Sequence, residues 1–539
     1  MHNFLHKYGR PTLKRRCKMK RPLLFFFITF IFFPALVFAG TKGKITGTVT
    51  DAETGKPLPA ANVIIEGTTM GAAADKDGYY VILNVPPGTY TLKASMMGYA
   101  KVTVTEVHVS VDRTTTVDFK MKPMVLPGEE VVVVAKRPVV QKDVAGSQKV
   151  VTSDQIEALP VASITEVMGL QPGITSRLSI RGSGSDQAIF MVDGVVLRDE
   201  RTNQPITGVP LSAVREVSVQ TGGFSPEYHA VRSGVVNVVT KEGNPNRYGG
   251  TATFRMKPPA PKHFGISPYD RNSFWLRPYL DDEVCWTGTS AWDEYTQRQY
   301  PEFEGWIAFA ERTLQDDDPT NDLTPEAAQR IFMWDHRKQG EPTKPDYNVD
   351  AGFGGPVPFI GKSLGNLRFY TSYRKEQDVY LMQLSRDALT DQSWMLKLTS
   401  DISPSMKLSL WGLYGKIYAA SLSRSGGTTY FSSTWDVASV IDRAGFTVPW
   451  RIYTNIYFCP TTVTHHTISA KLTHLINPTT FYELQLKQTK KGYNTGPGRY
   501  RDTTKIQEIF PGYWVDERPF GFTPKYICDI TGTLAMGGP

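Results

Sequence analysis

Hydrophobic and polar residues alternate in short runs along most of this chain, and such alternation is typical of half-buried β-strands. Between residues 40 and 122 the runs are separated by Gly, Pro and Asp turns about every 8–12 residues. We therefore predict an N-terminal β-sandwich over residues 40–122. Tyr80, Val85, Tyr90 and Leu92 are predicted to occupy its core.

A strong hairpin signal follows further along the chain. The apolar runs Ala188–Val192 and Val195–Leu197 flank Asp193-Gly194. Asp-Gly is a preferred hairpin turn because Gly adopts positive φ without strain. A further β-rich run, SGVVNVVTKEG over residues 233–243, ends in a charged turn that contains Gly.

Short helices are predicted ahead of this hairpin. Ile164, Val167 and Met168 recur at helical spacing, and Ser153 is a candidate helix N-cap. Helices followed by strands predict an α+β domain over residues 144–245.

The region from residue 246 to 539 has the character of an antiparallel transmembrane β-barrel, because amphipathic runs rich in aromatic residues alternate with turns. The candidate strands are TATFRMK, DAGFGGPVPFIG, NLRFYTSYRKE, VYLMQLS, SWMLKLTSDI, KLSLWGLYGKIYA, TVTHHTISAKLTHLI and TTFYELQLKQTKKG. A long loop, residues 258–348, interrupts them and contains two helical patterns, one around Trp306 and one after the N-cap candidate Thr324. The predicted fold class is therefore mainly β.

The net charge of +8 comes from the start of the chain. Residues 1–39 contain eight basic residues and no acidic ones, and the remaining basic and acidic residues are equal in number. The basic segment precedes an apolar run and a small-residue site at Ala39, which predicts a signal peptide; an uncleaved membrane anchor is the alternative. The neutral remainder gives no electrostatic reason to expect a nucleic-acid partner.

Two parts of the chain resemble known families. The motifs GKITGTVTD, GKPLP, DKDGYY and PPGTYTL stand in the order found in the carboxypeptidase regulatory-like domain. The later motifs resemble the plug domain of TonB-dependent outer-membrane receptors. The residues that carry this second resemblance are Arg181, Gly182, Asp193, Gly194, Gly234, Asn237 and Thr240.

The plug resemblance implies a gated receptor or transporter in the outer membrane of a Gram-negative cell, and not an enzyme. Its expected partners are the TonB energy-transducing complex, outer-membrane lipid and an imported ligand. Plug arginines, Arg181 first, are expected to pair with carboxylates of the barrel. The alternative function is a surface adhesion or assembly protein that binds a partner without transport.

A short β run lies in the linker over residues 123–143, where the family carries its TonB box. The predicted box consists of Glu129, Glu130, Val131, Val132, Val133, Val134 and Ala135. An extended, exposed strand of this kind can add to the edge of a partner's sheet. The alternative interpretation is that the run is the first strand of the plug.

The resemblance also predicts more strands than the sequence contains. About eight candidates follow residue 246, whereas barrels that hold a plug have on the order of 22 strands. We therefore expect a barrel that is incomplete or split at the C-terminal side. A continuation of the coding sequence without further amphipathic strands would contradict this expectation.

The sequence carries no recognisable catalytic or metal-binding motif. The segment 354–363 lacks the Gly spacing of a phosphate-binding loop, and the adjacent His465 and His466 point to opposite faces of a strand. We predict no catalytic residue, no metal site and no cofactor. Cys285, Cys459 and Cys528 give no disulfide framework, although one disulfide between two of them stays open.

The long loop offers candidate ligand-binding residues. Trp286, Trp292 and Trp306 have aromatic faces on which sugars or peptides could stack. Siderophores and cobalamin are equally compatible with the sequence, so the substrate stays open.

Overall fold

The computed structural model describes part of the chain in detail. The described residues are 42–537 apart from 69, 112, 124–129, 135–146, 225–230, 316, 318–321, 338–340, 404, 423–426, 443–451, 454–457, 478–479, 497–501, 503, 517–524 and 529–533. The predicted signal peptide, Glu129 and Ala135 lie outside them. The described part is mainly β, as predicted.

The N-terminal region is a β-sandwich, which confirms the prediction. One sheet contains β1 (Gly43–Asp51), β4 (Tyr79–Val85), β7 (Thr114–Thr116) and β8 (Phe119–Met121). The order of the other sheet is β3 (Gly71–Ala73), β2 (Asn62–Ile65), β5 (Gly88–Ser95), β6 (Lys101–Val109) and β9 (Glu130–Val134). Tyr80, Val85 and Leu92 are buried in the core, and Tyr90 packs against it partly buried.

Strand β9 is the run predicted to be either a TonB box or the first strand of the plug. It pairs in parallel with β6, from Lys101 opposite Glu130 to Thr105 opposite Val134. The run therefore belongs to the sandwich sheet, and its interpretation as the first strand of the plug is wrong. That position is held by Gln148–Thr152.

The central domain, residues 147–243, is an α+β unit. Its elements are β10 (Gln148–Thr152), α1 (Ser153–Glu157), α2 (Ile164–Gly169), β11 (Ala188–Val192), β12 (Val195–Val196), β13 (Val214–Gln220) and β14 (Gly234–Thr240). The strand order is β10-β13-β14-β11-β12, with β11 parallel to β14. Ile164, Val167 and Met168 are buried against this sheet, as their spacing predicted.

The N-cap of α1 is Thr152, and the prediction of Ser153 at this position is wrong. The Gln155 side chain accepts a hydrogen bond from the Thr152 backbone N–H at 3.1 Å. Gln lies three residues after Thr152, which is the spacing of a capping box. The cap therefore sits one residue earlier than predicted, and Ser153 becomes the first helical residue.

The Asp193-Gly194 hairpin forms as predicted. Met191 pairs with Val196 and Val192 with Val195 in antiparallel register. Asp193 has φ +47° and Gly194 has φ +81°, as a two-residue hairpin turn with two positive φ angles requires.

The C-terminal region forms one large antiparallel sheet. Its strands pair in chain order and are β15 (Gly249–Lys257), β16 (Asp346–Pro356), β17 (Arg368–Val379), β18 (Ala388–Ser403), β19 (Met406–Ser421), β20 (Cys459–Asn477) and β21 (Thr480–Thr495). Within the described residues β15 and β21 do not pair, so this large sheet is not closed into a barrel. We call the face toward the central domain its inner face.

One predicted strand, VYLMQLS, does not form. Val379 ends β17, and Tyr380, Met382 and Leu384 are buried in the core of the long insertion. The apolar residues of this run serve that core, and their alternation does not reflect a strand. Helix α7 (Thr434–Asp442) contributes Val437 to the same core.

The long insertion contains the predicted helices. Its helices are α3 (Arg277–Leu280), α4 (Glu294–Gln297), α5 (Trp306–Thr313) and α6 (Pro325–Asp335). Thr324 caps α6, because its side chain accepts a hydrogen bond from Ala327 N. None of the helices described has the length and apolar character of a transmembrane span.

Two short hairpins complete the described strands. They are β22 (Gln507–Phe510) with β23 (Tyr513–Val515), and β24 (Lys525–Cys528) with β25 (Leu534–Gly537).

Replacing the turn glycine should destabilise the central domain. We expect Gly194→Ala to lower the free energy of unfolding by about 1–2 kcal/mol, because an L-residue is strained at positive φ. Gly249→Ala is the matched control, since a Cβ atom there meets nothing within 4 Å. Urea unfolding in detergent, followed by tryptophan fluorescence, measures the difference; equal midpoints for the two variants would contradict the prediction.

Candidate functional site

A buried ion pair joins the central domain to the large sheet. Asp193 Oδ2 lies 3.0 Å from Lys397 Nζ of β18, and both side chains are buried. Asp193 Oδ1 also accepts a hydrogen bond from Thr240 N at 3.0 Å, and Lys397 Nζ donates to Thr240 Oγ1 at 3.1 Å. One lysine of the large sheet therefore contacts both predicted plug motifs.

Glu242 extends this contact. Its carboxylate lies 2.7 Å from Lys407 Nζ, 3.3 Å from Arg368 Nη2 and 3.8 Å from Lys397 Nζ. Burial by itself would raise the pKa of Glu242, but these cations hold that pKa well below its usual range. Glu242 is therefore ionised at neutral pH. Together with Asp193, these residues form what we call the central ion-pair cluster.

A second ion pair has the same polarity. Asp199, in the loop after β12, lies 3.1 Å from Lys491 Nζ of β21 and accepts a hydrogen bond from the Tyr493 hydroxyl. Burial opposes ionisation of Asp199, but the Tyr493 hydrogen bond, a bond from Arg201 N and the Lys491 charge lower its pKa to about 2. In both ion pairs the central domain supplies the anion and the large sheet supplies the cation.

Further hydrogen bonds hold the turn before β13 against the large sheet. The Asp350 carboxylate on β16 accepts hydrogen bonds from Leu211 N at 2.6 Å and Ser212 N at 2.9 Å. Tyr370 of β17 donates to the Ser212 carbonyl at 2.7 Å. The turn that starts β13 is thereby fixed to two neighbouring strands of the large sheet.

Among the described residues Arg181 contacts no carboxylate of the large sheet, so its pairing with a barrel carboxylate stays a prediction. Arg181 has φ +54°, and its side chain donates to Thr221 Oγ1 at 3.2 Å inside the central domain. The reason is its place in an exposed turn, where Gly182 follows with φ +80°. The residue pairs that join the two regions have the opposite polarity.

Gly234 and Asn237 lie within the central sheet. A Cβ atom on Gly234 would lie 2.5 Å from Ile180 Cδ1, so a side chain there would displace the buried Ile180 side chain. Asn237 is buried, and within the described residues neither its amide nitrogen nor its amide oxygen has a hydrogen-bond partner. Both residues pack the sheet, while Asp193 and Thr240 reach the large sheet.

The three predicted ligand-binding tryptophans lie inside the insertion. Trp306 is 2% exposed and donates from Nε1 to the Tyr279 carbonyl at 2.9 Å. Trp292 is buried beside Tyr300 and Arg277, and Trp286 packs partly buried against the same core. Side chains packed in this way stabilise the insertion and present little aromatic surface to a ligand.

The sandwich also contacts the central domain. Glu216 of β13 is buried, and its Oε1 accepts a hydrogen bond from Val111 N at 2.9 Å. Burial raises the pKa of Glu216 to about 7, although the Val111 hydrogen bond and the charges of Arg113 and Arg215 favour the ionised form. This carboxyl therefore titrates near neutral pH.

A cavity of about 40 Å³ lies where the three regions meet, beside Asp193, Glu242, Lys397 and Lys407. It can hold water, which needs about 10–15 Å³, but not a nutrient molecule. Among the described residues no group of His, Cys, Asp or Glu side chains could hold a metal ion. Cys285 and Cys459 are buried and form no disulfide.

Comparison with known families assigns the first two regions. Residues 45–133 match the model of the CarboxypepD_reg-like domain, a range that includes all of β9 except Val134. Residues 140–236 match the model of the TonB-dependent receptor plug domain. The chain carries a TonB-dependent receptor plug domain.

The curated relatives are also named as TonB-dependent proteins. TonB-dependent transporter Oar of Myxococcus xanthus is 32% identical over 243 residues, which is 40% of this chain and 22% of that protein. TonB-dependent receptor P3 of Formosa agariphila is 28% identical over 247 residues, which is 43% of this chain and 23% of that protein. The chain thus spans about a fifth of the length of these relatives.

Similar solved structures include a transporter and a siderophore receptor. The ferric citrate transporter FecA is 11% identical with a TM-score of 0.38, covering 67% of this chain and 42% of that one. The siderophore receptor PirA of Pseudomonas aeruginosa is 12% identical with a TM-score of 0.31, covering 66% and 49%.

Sequence reasoning missed the partners of the plug. Lys397 is the one charged residue in the run SWMLKLT of β18. Its side chain points to the inner face of the sheet, as those of Met395 and Thr399 do. A single cationic residue in an otherwise uncharged run of a strand was therefore the sequence signal that could have predicted a buried ion pair. Glu242 follows directly after the plug motif and is the first carboxylate beyond it.

Removing the Lys397 charge should destabilise the plug. We expect Lys397→Met to lower the free energy of unfolding of the plug by about 3–5 kcal/mol, since Asp193 would be left buried without its cation. Adding Asp193→Asn should restore part of the loss, because the double variant buries no unpaired charge at this position.

Arg181→Gln is the control for this experiment, because the Arg181 side chain is exposed and surface changes usually stay within about 0.5 kcal/mol. Urea midpoints of the unmodified protein, Lys397→Met, the double variant and Arg181→Gln, measured at one detergent concentration, give the comparison. A Lys397→Met midpoint equal to that of Arg181→Gln would contradict an energetic role of the ion pair.

The folded state should lose stability as the pH rises, because Glu216 must then ionise in a buried position. The pKa of Glu216 in the folded protein, about 7, lies above its usual 4.5, so the folded state binds the proton more tightly. The stabilisation is complete below about pH 4.5, decreases as the pH rises to about 7, and changes by about 3 kcal/mol in all. Glu216→Gln should remove this dependence, which unfolding midpoints between pH 5 and 8 will test.

Proposed function

We propose that this protein is a TonB-dependent receptor of the outer membrane that imports a scarce or bulky substrate through a plugged barrel. The observation that carries the proposal is the inverted polarity of the large sheet, which is polar on the inner face toward the plug and apolar on the exposed face. The plug assignment and the names of the relatives point to the same class of protein.

Strand β18 illustrates this polarity. Ser393, Lys397 and Thr399 are buried toward the plug, whereas Trp394 and Leu396 are exposed. Strand β20 repeats the pattern, with buried polar residues alternating with exposed Ile468 and partly exposed Leu472. A soluble protein would bury these apolar side chains, whereas a membrane barrel turns them toward lipid.

The ion pairs supply a barrier to opening. Separating Asp193 and Glu242 from Lys397, Lys407 and Arg368 would leave charges in a water-poor interior, and that is energetically costly. A plug held in this way stays shut until work is done on it. The hydrogen bonds that Asp350 accepts and the one that Tyr370 donates add to the same attachment.

The TonB energy-transducing complex would supply that work at residues 129–135. A strand of TonB would pair with this segment through main-chain hydrogen bonds and pull on the linker that leads into the plug. The basic and apolar pattern of residues 1–39 supports export toward this location. The curated relatives cited here are named as transporters and receptors, and the adhesion alternative finds no support among them.

Deleting residues 129–135 in the intact protein of its native host tests the proposal. We expect loss of energised accumulation, because TonB has no strand to pair with, while surface binding persists. Labelled ferric siderophores, cobalamin, oligosaccharides and peptides are supplied as a panel. Accumulation and surface binding are counted separately with and without an uncoupler of the proton gradient.

Deleting seven residues from the loop at 258–264, which is exposed apart from the partly buried Lys262 and His263, serves as a length-matched control and should leave energised accumulation intact. Energised accumulation that survives the deletion of 129–135 would refute coupling at this segment.

A further inference from the structure

Strand β9 lies at the edge of the sandwich sheet. Residues Lys101–Thr105 of β6 pair with Glu130–Val134 in one continuous parallel register. Among the strands that the structure describes, β9 has a neighbour on this side only. Its second edge therefore carries main-chain N–H and C=O groups that no described strand uses.

The side chains of β9 do not help to close the sandwich core. Val131, Val132, Val133 and Val134 are 40%, 63%, 46% and 56% exposed, so neither face of the strand is buried. On the neighbouring strand β6, by contrast, Val102 and Val104 are buried. The attachment of β9 to the sheet thus rests on its main-chain pairing with β6.

Among the described residues of this edge, Glu130 is the one charged residue, and Val131–Val134 carry none of the features that usually keep sheet edges from pairing. Natural edge strands are protected by lysines, prolines, bulges or a covering segment. Val131–Val134 contains no charge and no proline, and its register with β6 shows no shift. Four consecutive β-branched residues favour the extended conformation that a partner strand needs. An open edge of this kind is an interaction surface.

We infer that the sandwich presents β9 to TonB as a ready-made edge, so that the TonB strand adds to the sandwich sheet while β9 stays paired with β6. This inference rests on the proposed function. It makes the sandwich a binding platform that fixes the segment in advance, which lowers the entropy lost on binding. The opposite arrangement, in which β9 must leave β6 before TonB binds, makes the sandwich an inhibitor.

In this arrangement the force exerted by TonB can also reach the plug through the sandwich. Besides the linker, the sandwich reaches the plug through the hydrogen bond from Val111 N to Glu216. It reaches the large sheet through Lys42, whose Nζ donates to Thr473 Oγ1 at 3.2 Å and lies 3.8 Å from Glu483. Force on β9 would thus be felt at the plug and at the large sheet together.

A disulfide between β6 and β9 separates the two arrangements. Thr105 and Val134 are register partners, and neighbouring strands lie about 4.8 Å apart, within the Cα range of disulfides. Thr105→Cys/Val134→Cys is made in the full chain with Cys528→Ser. Binding of the periplasmic domain of TonB is then measured by interferometry with and without reductant. Each single cysteine variant is the control.

We expect the oxidised and reduced proteins to bind TonB within about twofold of each other. A tenfold or greater loss on oxidation, reversed by reductant, would overturn the platform and leave the proposed function standing. Absence of binding by the reduced protein and by both controls would count against the proposed function itself. Failure of the disulfide to form would contradict the β6–β9 pairing, and dimerisation through this edge in place of TonB binding would also overturn the inference.

A second variant pair tests the free edge directly. Successive N–H groups of a strand point to opposite edges, and proline removes one of them. Val132→Pro and Val133→Pro therefore remove N–H groups from different edges of β9. One of the two should weaken TonB binding at least tenfold while leaving the disulfide yield in the cysteine background unchanged. Equal effects of the two prolines on TonB binding would contradict the inference.

Discussion

The ion pair between Asp193 and Lys397 is the interaction on which the arrangement of plug and large sheet depends. Asp193 sits in a two-residue turn, so its carboxylate position is fixed by the backbone of the hairpin. Thr240 donates its N–H to Asp193 and accepts a hydrogen bond from Lys397 at Oγ1, which links the hairpin to another strand of the plug. A single cation of the large sheet is thereby placed against the two motifs that define the domain.

The polarity of the large sheet follows from the same constraint. Charged residues such as Arg368, Lys397 and Lys407 require partners, and the plug provides carboxylates for them. Apolar residues at the alternate positions then face outward, because successive side chains of a strand point to opposite faces. The same alternation along each strand therefore produces both the polar face toward the plug and the apolar outer face.

Local patterns predicted the local structure well. The sandwich, the Asp193-Gly194 turn, the helix that contains Val167 and the capped helix after Thr324 depend on neighbouring residues and formed as expected. Contacts between distant segments were harder to predict. Arg181 was assigned a distant partner that it does not contact among the described residues, and the tryptophans of the insertion form its core. Sequence periodicity shows which face a residue occupies, but it does not show which distant strand that face meets.

The buried carboxylates of the plug have a consequence for the order of assembly. Asp193, Asp199 and Glu242 find their cations on β17, β18, β19 and β21, which are synthesised after the plug. Until those strands fold, the carboxylates must stay hydrated, and hydrated carboxylates oppose premature docking of the plug. The plug therefore makes its final contacts only when these strands are present to supply the cations.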